Sequence, residues 1–412
     1  MGITTSLLAR NFAWVLSGSF LVRLSRIFTT YALARQLSID DYGLLSIIVT
    51  VTQILNVISI SISKEKIIQC DEKELEHYCR SAWSLQFIIG FIIFLLQCFI
   101  GLLAGLIFSD SYIVFPVILT GFIHLLVPFT SIQLSLLQRN QNFEKFSKIS
   151  NSVIVINNLL TAILCYCGLS IWSIPFAWVI SIIFQSLFVY NSQIWFPCLS
   201  IDPKYWKIIL SFGLRSSLVE ILTRIRESVD YLFVGYFLGV DSLGLYYFAF
   251  NSGLGFTLSV ARPLERTIYS NLCSNSKNGI NISGLIKCIK LALIVIAPII
   301  ILQSFLAPFY VSLLFGNKWV DAGAVPLLIL ICISGITRLP SKSVSLAFRA
   351  VGKLNIDLYW HLFFTTLFVL GIFFSSQVSL LYVSLTVLIL HLLLEPLFIV
   401  FGIKFLKVHN IV

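Results

Sequence analysis

Of the cations inside stretches otherwise apolar enough to be membrane spans, five are candidates to meet a substrate: Arg23, Arg26, Arg224, Arg338 and Lys342. A cation at mid-span costs about 2.5–3.5 kcal/mol on insertion scales, so such a residue usually has a partner or a substrate. Arginine can grip a phosphate or a carboxylate through two parallel charge-assisted hydrogen bonds, and that is the chemistry this set offers. Arg23 and Arg26 are three residues apart and share a helical face, with Ser19 and Thr30 near the same stripe. Arg338 and Lys342 are one turn apart and flank Pro340. Arg224 follows Arg23 by 201 residues, and each precedes by 17 the aspartate of a matching turn, Asp40 or Asp241. The competing structural reading is that these cations snorkel to an interface or pair between helices.

The acids cluster differently. At 100° per residue Glu220, Thr223, Arg224, Glu227 and Asp230 share an arc of about 120° on one helix, with Arg226 further round. Glu220 with Arg224, and Arg226 with Asp230, have the i,i+4 spacing of mutual neutralisation. Pairing of that kind and a substrate or proton site stand as equal readings. Four positions after Glu227 comes Tyr231, so helical spacing offers that carboxylate no arginine or lysine there, which makes it the first candidate for ion coupling. Glu395, beside Pro396, is a further candidate, with Glu220 and Asp230. His124, His361 and His391 are single and read as hydrogen-bonded packing residues. No P-loop, dinucleotide fingerprint, Ser-His-Asp or HExxH spacing occurs. The sequence thus offers no catalytic residues, metal ligands or cofactor, save a coupling proton or sodium ion.

The elements that position these residues are long helices. Of the 412 residues 58% are hydrophobic and 11% charged, and the mean hydropathy is +0.96, which makes lipid the main solvent. Apolar runs long enough to span about 30 Å of hydrocarbon lie at 11–34, 41–63, 82–107, 112–137, 149–168, 171–193, 208–237, 243–266, 286–315, 323–349, 356–375 and 379–404. The expected fold is an all-α polytopic membrane protein of about twelve spans. Most of the 28 lysines and arginines fall in alternate loops, the others of which carry only Arg35 and Lys318. The positive-inside rule then puts both termini in the cytoplasm, and the net charge of +10 reports topology rather than nucleic-acid binding. The odd set of nine cysteines implies no disulfide framework.

The two matching turns mark a duplication. Residues 194–207, with Pro197, Pro203 and interfacial tryptophans and lysines, read as a cytosolic linker between an N-lobe of 1–193 and a C-lobe of 208–412. Six helices per copy make the repeats parallel, an arrangement known among transporters. Counting embedded charges as read from sequence gives Arg23, Arg26, Arg224, Arg226, Arg338 and Lys342 against Glu220, Glu227, Asp230 and Glu395. That excess of cations, with no acid in the first six spans, predicts a negatively charged substrate headgroup.

Asn11-Phe-Ala-Trp14, the turn from Ala32 through Arg35 to Gly43, the stretch from Asp230 to Asp241, and Phe315-Gly-Asn-Lys-Trp319 resemble the Wzx-type oligosaccharide flippases of the multidrug/oligosaccharidyl-lipid/polysaccharide exporter superfamily. The resemblance implies two pseudo-symmetric six-helix lobes forming a V, as in MATE transporters, in the bacterial inner membrane. It implies undecaprenyl-pyrophosphate-linked oligosaccharide repeat units as substrate, with the polyprenyl tail left in the lipid bilayer while the headgroup crosses a cationic cavity. A polysaccharide polymerase and chain-length regulator proteins would be the partners in such a pathway. The main rival is a MATE-like cation-coupled multidrug exporter, which would be expected to carry a carboxylate in the first lobe's spans. A membrane-embedded polymerase is disfavoured by external loops as short as Ser109-Asp110-Ser111, and a scaffold would leave the central arginines unexplained.

Overall fold

The computed structural model describes residues 5–408, apart from residue 141, residues 192–194, 196–199 and 201, and positions 259–260, 262–263, 266–267, 269–271 and 273–281; side chains at 5–19, 60–65, 69, 143, 212–217 and 219–220 also lie outside that description. The helices are α1 (Thr5–Gln36), α2 (Ile39–Gln69), α3 (Leu75–Ile107), α4 (Val114–Arg139), α5 (Phe143–Tyr166), α6 (Ser173–Tyr190), α7 (Pro203–Arg226), α8 (Val229–Ser252), α9 (Ile282–Tyr310), α10 (Asn317–Asp321), α11 (Ala324–Ser334), α12 (Arg338–Ala350), α13 (Leu354–Ser376) and α14 (Leu380–Val408). Among the described residues ten helical segments are long and apolar enough to cross a membrane. The expected runs at 208–237 and 243–266 both overlap one such segment, Ile221–Leu258, and much of the run at 11–34 has no described side chains.

Two compact units divide the chain, Met1–Arg224 and Ile225–Val412. The N-terminal part of α7, which starts inside the expected linker, packs Ile209, Tyr205 and Trp206 against Ile67, Tyr78 and Cys79, and so joins the first unit. Within that unit α1 lies on α5, α2 on α3 and α4, α3 on α4, and α6 on both α4 and α5. Within the second, α8 lies on α13 and α11, α9 on α11 and α12, and α14 on α11, α12 and α13. Taking α8 for the end of α1 and for α2, α9 for α3, α11 with α12 for α4, α13 for α5 and α14 for α6, the pairings recur except that of α2 with α3. The turns agree too: α1 gives way to α2 at Ser38, and 201 residues on α8 bends at Gly239, whose φ of 85° and ψ of 171° suit only glycine.

The middle of α3 is apolar outside and polar or small inside, the reverse of a helix in a water-soluble bundle. On α3, Phe99 is 58% exposed and Leu106 76%, whereas Gly90, Gln97, Gly101 and Ala104 are buried against α4. Close approach over small residues with interhelical hydrogen bonds is how helices associate in lipid. Gln97 is the centre of such bonding: its amide donates to Thr120 Oγ1 at 2.6 Å and Thr52 Oγ1 at 3.0 Å, and its carbonyl lies 2.8 Å from His124 Nε2. One residue group thus ties α2, α3 and α4. At Gly90 a Cβ would fall well inside van der Waals distance of the His124 carbonyl oxygen, an atom of the backbone that cannot rotate away. Gly90→Ala should therefore destabilise the first unit by about 1–3 kcal/mol. A thermal melt of the purified variant checks this, and an unchanged midpoint would contradict the packing.

Two expected continuous spans are broken. The run at 208–237 stops at Arg226, turns at Glu227 and Ser228, and resumes as α8 at Val229. The expected i,i+4 pair of Arg226 with Asp230 is not formed, because the turn removes the helical register that would bring them together. The run at 323–349 breaks at Gly335-Ile336-Thr337, and α12 begins at Arg338. Pro340 then sits in the first turn of a new helix, where a missing N–H leaves no intrahelical bond unmade.

Candidate functional site

In the first unit the site is built on α1. Ser25 accepts a hydrogen bond from Asn158 Nδ2 at 2.9 Å, and Thr29 Oγ1 donates to the Asn158 carbonyl at 2.8 Å, so that edge of α1 is its seam with α5. Phe20, Leu21, Leu24, Ile27 and Phe28 are all exposed and form the apolar arc on one side of the seam. At 100° per residue, Arg26, Thr30 and Arg23 lie about 100°, 140° and 160° round from Ser25 on the other side. They form a third face, separate from both the seam and the apolar arc. All three are half-buried. The Nε of Arg23 is buried with no hydrogen-bond partner among the described residues. A buried guanidinium donor left open costs more than one never made, so the position is suited to an incoming acceptor. Arg224, at the end of this unit, donates to Gln53 Oε1 of α2 at 3.4 Å. The described membrane segments of α1 to α6 hold no carboxylate at mid-span: Glu144 pairs with Lys148 in the first turn of α5, and Asp41 accepts from Ser170 at a turn.

The second unit is different in kind. Asp230 is buried and accepts from the Tyr246 hydroxyl at 2.8 Å and the Tyr231 amide at 3.0 Å. Arg338 donates to Ser334 Oγ at 3.2 Å and keeps a buried Nε open, within electrostatic reach of Asp230 and of Glu395. Glu395 is 5% exposed and its Oε2 has no hydrogen-bond partner among the described residues. Arg338, Asp230 and Glu395 are therefore brought together, joined by Arg226. The guanidinium of Arg226 lies 4.4 Å over the Phe364 ring and contacts His361 Nδ1 at 3.3 Å. Lys342 is half-buried within reach of Glu265 and Asp357. Glu227 occupies the turn beside Arg226. The side chain of Glu220 lies outside the described residues.

Reading the sequence alone misses one group here. Asp357 is wholly buried at the start of α13 and pairs with Arg349 Nε at 3.1 Å and with His361 at 3.4 Å. Both partners of that pair fall at the ends of apolar runs, where hydropathy assigns them to a loop. His361 is correspondingly more than a packing residue, whereas His391, bonded to the Val387 carbonyl between Phe364 and Phe368, is one. With Arg349, Asp357 and Glu265 counted, the second unit sets Arg226, Arg338, Lys342 and Arg349 against Glu227, Asp230, Glu265, Asp357 and Glu395. Among the described side chains the charges of the second unit are nearly balanced, and those of α1 and the end of α7 in the first unit, Arg23, Arg26 and Arg224, are all cationic.

A family model described as polysaccharide biosynthesis protein matches residues 32–324. The chain belongs to the polysaccharide biosynthesis protein family. Among curated members, the teichuronic acid biosynthesis protein TuaB of Bacillus subtilis (strain 168) is 25% identical over 316 residues, covering 73% of this chain and 63% of that protein. The chain thus spans just under two thirds of the length of this relative. Of solved structures, the lipid II flippase MurJ in an inward closed conformation matches with a TM-score of 0.78 at 16% identity, over 95% of this chain and 87% of MurJ. An inward-facing multidrug resistance MATE transporter of the MOP superfamily matches with a TM-score of 0.73 at 14% identity, over 96% of this chain and 99% of its own. At such identities the likeness is one of fold. This member of the polysaccharide biosynthesis protein family is a multi-pass membrane protein with the fold of MOP superfamily transporters, as the motifs around Ala32–Gly43 and Asp230–Asp241 led one to expect.

Proposed function

We propose that this chain is a flippase that carries a lipid-linked, anionic oligosaccharide repeat unit from the cytosolic to the periplasmic leaflet of the bacterial inner membrane by alternating access, with both termini cytoplasmic. The observation that carries the reading is the third face of α1, where Arg23 holds an open, buried donor beside Arg26 and Thr30. Such a face fits a pyrophosphate or an acidic sugar, while the neighbouring apolar arc of Phe20, Leu24 and Ile27 fits a polyprenyl tail that stays in lipid. A relative that takes part in the biosynthesis of a polymeric acid is consistent with an anionic cargo. Multidrug export shares the fold, but among the described residues of α1 to α6 a cationic drug would meet arginines and no mid-span carboxylate.

Deletion of the gene in its native host tests the reading. The expected result is loss of surface polysaccharide with single lipid-linked repeat units trapped on the cytosolic side, restored by the wild-type chain. Unchanged polysaccharide with heightened sensitivity to cationic dyes would favour drug export instead. We further propose that transport draws on a proton or sodium gradient through Glu227, Asp230 and Glu395, each of which faces an arginine that a substrate anion could compete for. Glu227→Gln should then uncouple export from the gradient. Gradient-driven export at the wild-type rate in that variant would remove Glu227 from the coupling.

A further inference from the structure

The end of α7 and two helices of the second unit converge on His361, and its hydrogen-bonding leaves little choice of protonation state. Arginine has donors only, so the Arg226 Nη1 contact at 3.3 Å requires a bare Nδ1 on the imidazole. The remaining proton is then on Nε2, which faces Asp357 Oδ1 at 3.4 Å, an electrostatic contact rather than an aligned hydrogen bond, and Ser345 Oγ at 3.5 Å. The other oxygen of Asp357 accepts from Arg349 Nε at 3.1 Å. A continuous chain therefore runs from Arg226 at the end of α7, through His361 and Asp357 on α13, to Ser345 and Arg349 on α12.

A second proton on His361 is incompatible with one link of this chain. It would set an Nδ1–H and a positive ring against the guanidinium of Arg226, donor to donor and cation to cation, while strengthening the contact with Asp357. Arg226 immediately precedes the turn at Glu227 and Ser228 that interrupts the span, so whatever releases Arg226 acts on that break. Among the described residues the charged groups facing the pair are Arg226 and Glu227 from the α7 end, Arg338, Lys342 and Arg349 from α12, Asp357 on α13 itself, and Glu395 of α14 across Arg226. On α8, Asp230 is engaged with Tyr246 and faces Arg338 instead. A released Arg226 stays within electrostatic reach of Glu227 and Glu395.

We propose that His361, set by Asp357, is a proton-operated latch: neutral, it holds Arg226 and the break between α7 and α8 closed, and protonated, it releases both. The inference deepens the transport reading, which it needs only for what the latch would gate, and it adds to the carboxylates proposed for ion coupling a separate proton site that span-by-span reading of the sequence passes over.

The test uses the purified full chain in lipid nanodiscs, without substrate. Hydrogen exchange of the backbone around residues 224–232, corrected for the intrinsic effect of pH, is followed between about pH 8 and pH 5, the range in which histidine changes charge. In the wild type, protection of this segment should fall by about tenfold as pH drops, the change expected for one pKa unit of coupling between proton and contact. In His361→Gln the pH dependence should vanish. Where that variant does not fold, Arg226→Gln takes its place and should show low protection at every pH. A wild-type segment with flat corrected exchange, or a variant that keeps the wild-type profile, would overturn the latch while leaving the export reading untouched. Failure of export in the deletion strain bears on the transport reading alone.

Discussion

Arg23→Glu should abolish polysaccharide export while leaving the protein in the membrane at its normal level. The two halves of this expectation have separate grounds. Export should fall because the substitution removes a charge-assisted clamp, worth about 1.5–3 kcal/mol or roughly tenfold to a hundredfold, and puts a like charge in front of the anion. Abundance should hold because the Nε of Arg23 has no hydrogen-bond partner among the described residues, so little internal bonding is lost with it. Arg23→Lys should give an intermediate loss, since it keeps the charge and loses the fork. Surface polysaccharide measured by composition analysis, alongside an immunoblot of the membrane fraction, separates the two effects. Unaltered export in Arg23→Glu would remove the residue from the transport path.

Asp357→Ala should have the largest effect on stability. The carboxylate is fully buried, and its removal strands Arg349 and takes away the negative partner of His361. Breaking a buried pair by deleting one member costs about 3–5 kcal/mol, because the charge left behind is uncompensated. Asp357→Asn should lose less, since an amide oxygen can still accept from the Arg349 Nε. The check is thermal unfolding of the purified variants in detergent. Equal midpoints for wild type and Asp357→Ala would show that Arg349 is satisfied elsewhere.

The fold was legible because lipid imposes a coarse rule. A run of apolar residues long enough to cross hydrocarbon has few alternatives to a helix, and the offset between Arg23 and Arg224 and the matched turns at Asp40 and Asp241 reveal the duplication without any packing information. The same rule hides what happens inside a run. Hydropathy cannot see that the span through Arg226 is interrupted at Glu227 and Ser228, or that the one through Arg338 breaks at Gly335, since the residues at both breaks are compatible with a helix. The i,i+4 pairing of Arg226 with Asp230 failed for that reason. Asp357 and Arg349 were hidden by their position at helix ends, where a charge is usually solvated; here α12 and α13 bring the two ends together so that Asp357 is wholly buried. On α1, by contrast, the polar face could be read from spacing, because a single unbroken helix turns Arg23, Arg26 and Thr30 to one side.

The most direct measurement of the central claim is leaflet exchange in proteoliposomes holding only this chain and a fluorescent polyprenyl-pyrophosphate-linked oligosaccharide. Wild-type vesicles should expose internal substrate to an external quencher or glycan-cleaving enzyme, and vesicles with Arg23→Glu should not. Equal protection of the substrate in vesicles with and without the protein would contradict the account.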